Sequence, residues 1–129
     1  MKQSRPDTDT ERDKKRLPAE VLDFFGIEDG YKVGEMNSGR GYLSAIAAYA
    51  LEDSGEVYSH TAPQSVERWK GNPIEKRLET YPQKNLIPIS IKSFEEAIKL
   101  NKSNIKENLD AFIWGRIAAN DKSILFKHL

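Results

Sequence analysis

Val33-Gly34-Glu35-Met36-Asn37-Ser38-Gly39-Arg40-Gly41-Tyr42-Leu43 is the stretch on which the fold turns: an acid closing a short apolar run, a tight turn of small residues, then the start of a helical pattern. Glycine has no Cβ to hold a ligand away, so such a turn brings backbone N–H groups and a helix N-terminus up to a bound molecule. A nucleotide-like ligand suits that geometry. The Gly-x-Gly pair alone does not decide the matter, because a purely structural tight turn produces the same letters.

Working outward, Tyr31 to Met36 reads as a first strand, entered through a turn at Asp29-Gly30. Before it, Pro18 in a first turn, Leu17, Val21, Leu22 and Phe25 at helical spacing, and Gly26 as a left-handed stop define a short amphipathic helix. After the glycines, Leu43, Ile46, Ala47 and Ala50 mark the buried face of a helix whose small residues let it lie close against a sheet. Gly55 ends that connection, and Glu56 to Ser59 forms a second strand.

Pro63 to Trp69 is a helical turn or two. Asn72, Pro73 and Glu75 then supply an N-cap, a first-turn proline and a back-bonding acid for a helix with Ile74, Leu78 and Tyr81 as its buried stripe. Leu86 to Ile91 is a third strand, and Pro88, lacking an N–H, confines it to a sheet edge. Ser93 and Glu96 form a capping box for a helix through Leu100, and Leu109 to Trp114 is a fourth strand. Strands alternating with helices indicate right-handed βαβ units. The fold class is α/β, a Rossmann-like three-layer α/β/α arrangement with a partial, mainly parallel sheet in the order 3-2-1-4.

The 129 residues amount to one domain. Twenty basic and twenty acidic residues cancel, so no global field draws the chain toward nucleic acid or an anionic membrane. The absence of Cys removes disulfides, thiolate nucleophiles and cysteine zinc sites, and His60 and His128 alone make no metal cluster. No apolar run approaches the ~20 residues that span a bilayer, and the first residues are too polar for a secretory signal, so a cytoplasmic protein is expected. Residues 1–16 carry six basic and four acidic side chains and no large apolar residue beyond Met1. They are expected to form a flexible charged arm ahead of a domain over residues 17–129.

Arg16-Leu17-Pro18-Ala19-Glu20-Val21-Leu22-Asp23-Phe24-Phe25-Gly26-Ile27, then Glu35 to Gly41, then Gly55-Glu56-Val57-Tyr58, resembles a bacterial family of predicted class I methyltransferases dependent on S-adenosylmethionine. In that family an Arg-x-Pro-Ala-Glu-Val-Leu-x-Phe-Phe-Gly helix precedes an Asp/Glu-x-Gly-x-Gly-x-Gly cofactor loop. The likeness runs from about Arg12 to about Asp121 and is close through Tyr58.

The resemblance implies S-adenosylmethionine lying over the ends of the first two strands. Glu35 matches the loop's acid, Gly39 and Gly41 its second and third glycines, with Ser38 between; Asn37 stands in place of the first glycine and tolerates left-handed backbone angles. Where the fold expects an acid for the ribose hydroxyls, this chain has Ser59, His60 and Thr61. His60 can donate or accept one hydrogen bond there, but a surface-loop histidine with no function is the preferred reading. Glu95 matches the position that contacts adenine. Seven strands are usual in these proteins, so the chain is expected to be truncated after its fourth, whose open edge would favour a homodimer.

Two other readings stand beside this one. A degenerate, non-catalytic α/β domain acting as an interaction or self-association module fits the same residues. So does a dinucleotide-binding domain with Gly39-Arg40-Gly41-Tyr42-Leu43-Ser44 as its fingerprint, although that version wants an acid about twenty residues on. The leading expectation is methyl transfer to a small-molecule acceptor, with no nucleic-acid or membrane partner and no metal.

Overall fold

A computed structural model describes residues 5–52, 54–100 and 106, in two compact units, Met1–Ser90 and Ile91–Leu129. In the first unit the chain runs α1 (Asp7–Arg16), α2 (Pro18–Phe24), β1 (Lys32–Glu35), α3 (Tyr42–Ala50), β2 (Glu56–His60), α4 (Pro63–Arg68), α5 (Pro73–Thr80) and β3 (Leu86–Ile89); α6 (Ile91–Leu100) belongs to the second.

The segment expected to be an unordered arm forms α1. Its acids Asp7 and Asp9 fall in the first turn and its bases Lys14, Lys15 and Arg16 in the last, the arrangement that complements the helix dipole. Leu17, with φ 44°, stops α1 in the left-handed conformation and leads directly into α2. Counting charge alone hides this order, because what fixes α1 to the rest of the unit is polar: Asp9 is buried against Arg77, and Asp13 accepts from Tyr42 and Arg5.

The three strands lie side by side in the order β1-β2-β3, and both pairings are parallel. Val33 faces Val57 and Glu35 faces Ser59; across the other pairing Val57 faces Leu86 and Ser59 faces Pro88. Among the described residues β3 is an outer strand, where Pro88 costs no ladder hydrogen bond. The expected fourth strand at Leu109–Trp114 lies outside the described residues.

The core sits where α3 crosses the sheet. Ala45, Ala48, Val57 and Ile74 are fully buried, with Leu51 and Leu86 nearly so. The buried face of α3 is Ser44, Ala45, Ala47 and Ala48, continued by Leu51, rather than the expected stripe through Ala50, which is exposed. Leu43 and Ile46 pack at its margin. Gly55 is fixed by close approach: a Cβ there would run into the carbonyl oxygen of Tyr31 and lie 3.2 Å from Leu51 Cβ. Asn72 caps α5 as expected, its Oδ1 accepting from Ile74 N at 2.9 Å. Helix α6 begins at Ile91, so Ser93 lies inside the helix and is not its N-cap.

Candidate functional site

β1 ends at Glu35, and the chain then reverses through left-handed positions at Asn37 (φ 56°), Gly39 (φ 61°) and Gly41 (φ 77°) before entering α3. Asn is among the few side-chain residues that accept such angles, which is how the turn forms with no glycine at position 37. The two glycines have different reasons. A Cβ on Gly39 would meet nothing within 4 Å, so space is open above it. A Cβ on Gly41 would stand 2.6 Å from Ile74 Cδ1, so the missing side chain there is what lets α5 pack against the start of α3.

A run of hydroxyls joins this turn to the sheet. Ser44 Oγ donates to Glu35 Oε2 and lies 2.8 Å from Ser59 Oγ; Ser59 Oγ donates to Ser38 Oγ at 2.6 Å; Ser38 Oγ donates to the His60 carbonyl at 3.0 Å. The Ser38 amide donates to the same carbonyl at 2.9 Å, and the Asn37 amide donates to His60 Nδ1 at 3.3 Å. The small Ser44 therefore sits where helix and strands come closest, and its hydroxyl holds the Glu35 carboxylate at the end of β1. His60 is buried in the last position of β2 and does not lie in a surface loop. Because its Nδ1 accepts, its ring proton belongs on Nε2.

The structure thus brings Glu35, Asn37, Ser38, Gly39, Gly41 and His60 together at the C-terminal ends of β1 and β2. Glu95 lies in α6, in the other unit. Sequence reasoning named Ser59 at the strand end and Ser44 in the dinucleotide fingerprint, but missed that the two hydroxyls meet. The available signal was a hydroxyl in the helix and another at the strand end where an acid was sought, but nothing in the letters shows that they face each other.

Two hollows open beside the turn. Glu35 and Ser44 stand in the wall of an apolar cavity of about 350 Å³ that also takes in Leu22, Phe25, Val33 and Met36. Ser38 and Gly39 stand in the wall of a polar cleft of about 670 Å³ between α1, the turn and α5. The α1 side of that cleft is pinned by Asp13. The Arg5 guanidinium, then the Tyr42 hydroxyl, hold its carboxyl down at about 2, and the Tyr42 phenol is raised by burial and by Asp13. Among the described residues no cluster of His, Asp or Glu is placed to hold a metal ion, and no helix is long and apolar enough to cross a membrane.

Comparison with solved structures places this architecture. A SAM dependent methyltransferase from Aquifex aeolicus superposes with a TM-score of 0.51 at 20% identity, over 61% of this chain and 40% of that one. A protein-L-isoaspartate O-methyltransferase gives 0.48 at 22% identity, over 59% of this chain and 23% of the other. The match takes in less than half the length of either structure. No family model matches the chain, and no curated protein does. The fold is the Rossmann-like one of class I methyltransferases, present here as a small parallel sheet with its helices.

Proposed function

We propose that the chain binds S-adenosylmethionine over the C-terminal ends of β1 and β2 and passes its methyl group to a small-molecule acceptor. The observation that carries this reading is the turn at Gly39, left-handed and open above, set between the end of β1 and the start of α3. A continuous helix through the glycines, or protein atoms filling the space over Gly39, would have been incompatible with it. Neither is found.

The residues fit such a ligand in kind. The backbone of Asn37, Ser38 and Gly39 and the N-terminus of α3 offer N–H groups. Glu35 offers a carboxylate for an ammonium group, held in place by Ser44. At the end of β2, His60 stands in place of the usual acid on the ribose side, and Gly41 closes the turn. When bound, the sulfonium supplies both an electrophilic methyl and its own leaving group. What the protein must contribute is alignment and exclusion of water, and no general base is required.

The dinucleotide alternative draws nothing further from the site: Ser44, its third fingerprint position, is occupied with Glu35 and Ser59, and no acid stands at the end of β2. Calorimetric titration of the chain with S-adenosylmethionine tests the reading. Saturable heat that is lost in Gly39→Trp and kept in the exposed-surface variant Lys14→Gln supports it, provided far-ultraviolet dichroism shows both variants folded. No heat from the unmodified chain contradicts it.

A further inference from the structure

The cleft between α1, the glycine turn and α5 has a charge unlike that of the chain as a whole. Basic and acidic residues balance over the sequence, yet Arg12, Arg16, Arg40, Lys76 and Arg77 line this hollow with Asp9 as its one carboxylate. Asp9 is taken up by Arg77, Oδ2 to Nη2 at 2.7 Å, with both side chains more than nine-tenths buried. That pair neutralises itself and forms the floor.

Three of the other four cations, Arg40, Arg16 and Lys76, are held by something other than counter-charge. The Arg40 guanidinium lies 5.4 Å from the centre of the Trp69 ring, and that of Arg16 lies 5.1 Å from the centre of Tyr42. Lys76 Nζ donates to the carbonyls of Trp69 and Lys70 at 2.8 and 3.0 Å. Among the described residues none of Arg12, Arg16, Arg40 and Lys76 lies within ion-pairing distance of a carboxylate. Aromatic faces and carbonyls position Arg16, Arg40 and Lys76 while leaving their charge unneutralised, and like charges gathered in a part-enclosed hollow repel one another until an anion enters. The nine-residue helix α3 begins at Tyr42, itself a wall residue, and so adds the positive end of its dipole at the same wall.

We propose that this cleft binds a phosphate-bearing small molecule. Several guanidinium forks around one hollow match phosphate oxygens, which accept two parallel N–H bonds from each, and more than one negative charge is needed to balance the site. A small ligand is favoured over a nucleic-acid strand, because the cations converge on one pocket walled by α1 and do not follow a groove along the surface. The half-buried rings of Trp69 and Tyr81 in the wall suit a flat apolar portion of the same molecule. The cations that carry this site are not among the residues assigned to S-adenosylmethionine, although Ser38, Gly39 and the start of α3 border both.

Calorimetry with the full chain, using inorganic pyrophosphate and adenosine diphosphate as separate probes, tests the proposal. Arg12→Gln with Arg16→Gln removes two exposed cations of the cleft; Lys14→Gln with Lys15→Gln removes the same charge from the same helix outside it. The expected result is saturable binding of at least one probe, weakened at least about tenfold in the first pair and little changed in the second. No binding of either probe, equal weakening in both pairs, or tighter binding of a single-stranded oligonucleotide would overturn it. Titrating the same proteins with S-adenosylmethionine keeps the two readings apart, since each ligand gives its own heat and either can be absent without the other.

Discussion

The Arg77 guanidinium meets the Asp9 carboxylate at 2.7 Å, joining two residues 68 apart in sequence inside a wall that excludes water from both. Arg77 also reaches the Arg40 carbonyl at 3.4 Å, so one side chain ties α1, α5 and the glycine turn together. The shape of the polar cleft depends on this contact.

Removing one member of that pair leaves a buried charge without compensation. Asp9→Leu is expected to cost about 3–5 kcal/mol of unfolding free energy, and Arg77→Met a similar amount. Asp9→Leu combined with Arg77→Met is expected to recover most of the loss, because an apolar pair needs no desolvation of charge. Urea unfolding of the four proteins measures both; additive losses in the double variant would show that the pair is not coupled.

The two glycines of the turn separate by the same method. Gly39→Ala meets open space and incurs only the left-handed penalty, about 1–2 kcal/mol. Gly41→Ala incurs that penalty and also drives a methyl into Ile74, adding about 1–3 kcal/mol for overpacking. Gly41→Ala should therefore unfold at a clearly lower urea concentration than Gly39→Ala. Equal midpoints would mean that α5 does not press on the turn.

Much of the strand framework was legible in the letters. Turn residues and β-branched runs mark β1, β2 and β3 to within two residues at each end, and Pro88 announced an outer strand. Helix α1 was not legible, because its order comes from Asp9 reaching Arg77 and Asp13 reaching Tyr42, contacts that local charge composition does not encode. The buried face of α3 was misplaced for a related reason. With α2 and α5 beside it, a broad patch of small residues is covered, where a stripe at single helical spacing was expected. At the site, positive-φ positions were readable from Asn37, Gly39 and Gly41, whereas the hydroxyl chain through Ser44 and Ser59 exists only once helix and strand are packed.

Acid should loosen α1. The folded-state pKa of Asp13 is depressed to about 2 by Arg5 and Tyr42, so its contribution is fully present above its unfolded value near 4 and disappears as pH falls through about 2. Comparing the chain with Asp13→Asn isolates this group from other carboxylates. The gap between their urea midpoints should be constant from neutral pH to about 4 and close toward pH 2. A gap independent of pH would place the effect of Asp13 elsewhere than in its charge.

The central claim is that the turn after β1 receives the adenosyl sulfonium, and amide proton–nitrogen correlation spectra of the full chain with added S-adenosylmethionine test it residue by residue. The account predicts saturable shifts at Asn37, Ser38, Gly39, Tyr42 and His60, with little change on the outer face of α1 at Lys14 and Lys15. Spectra unaltered by the ligand, or shifts that spare the turn, would contradict it.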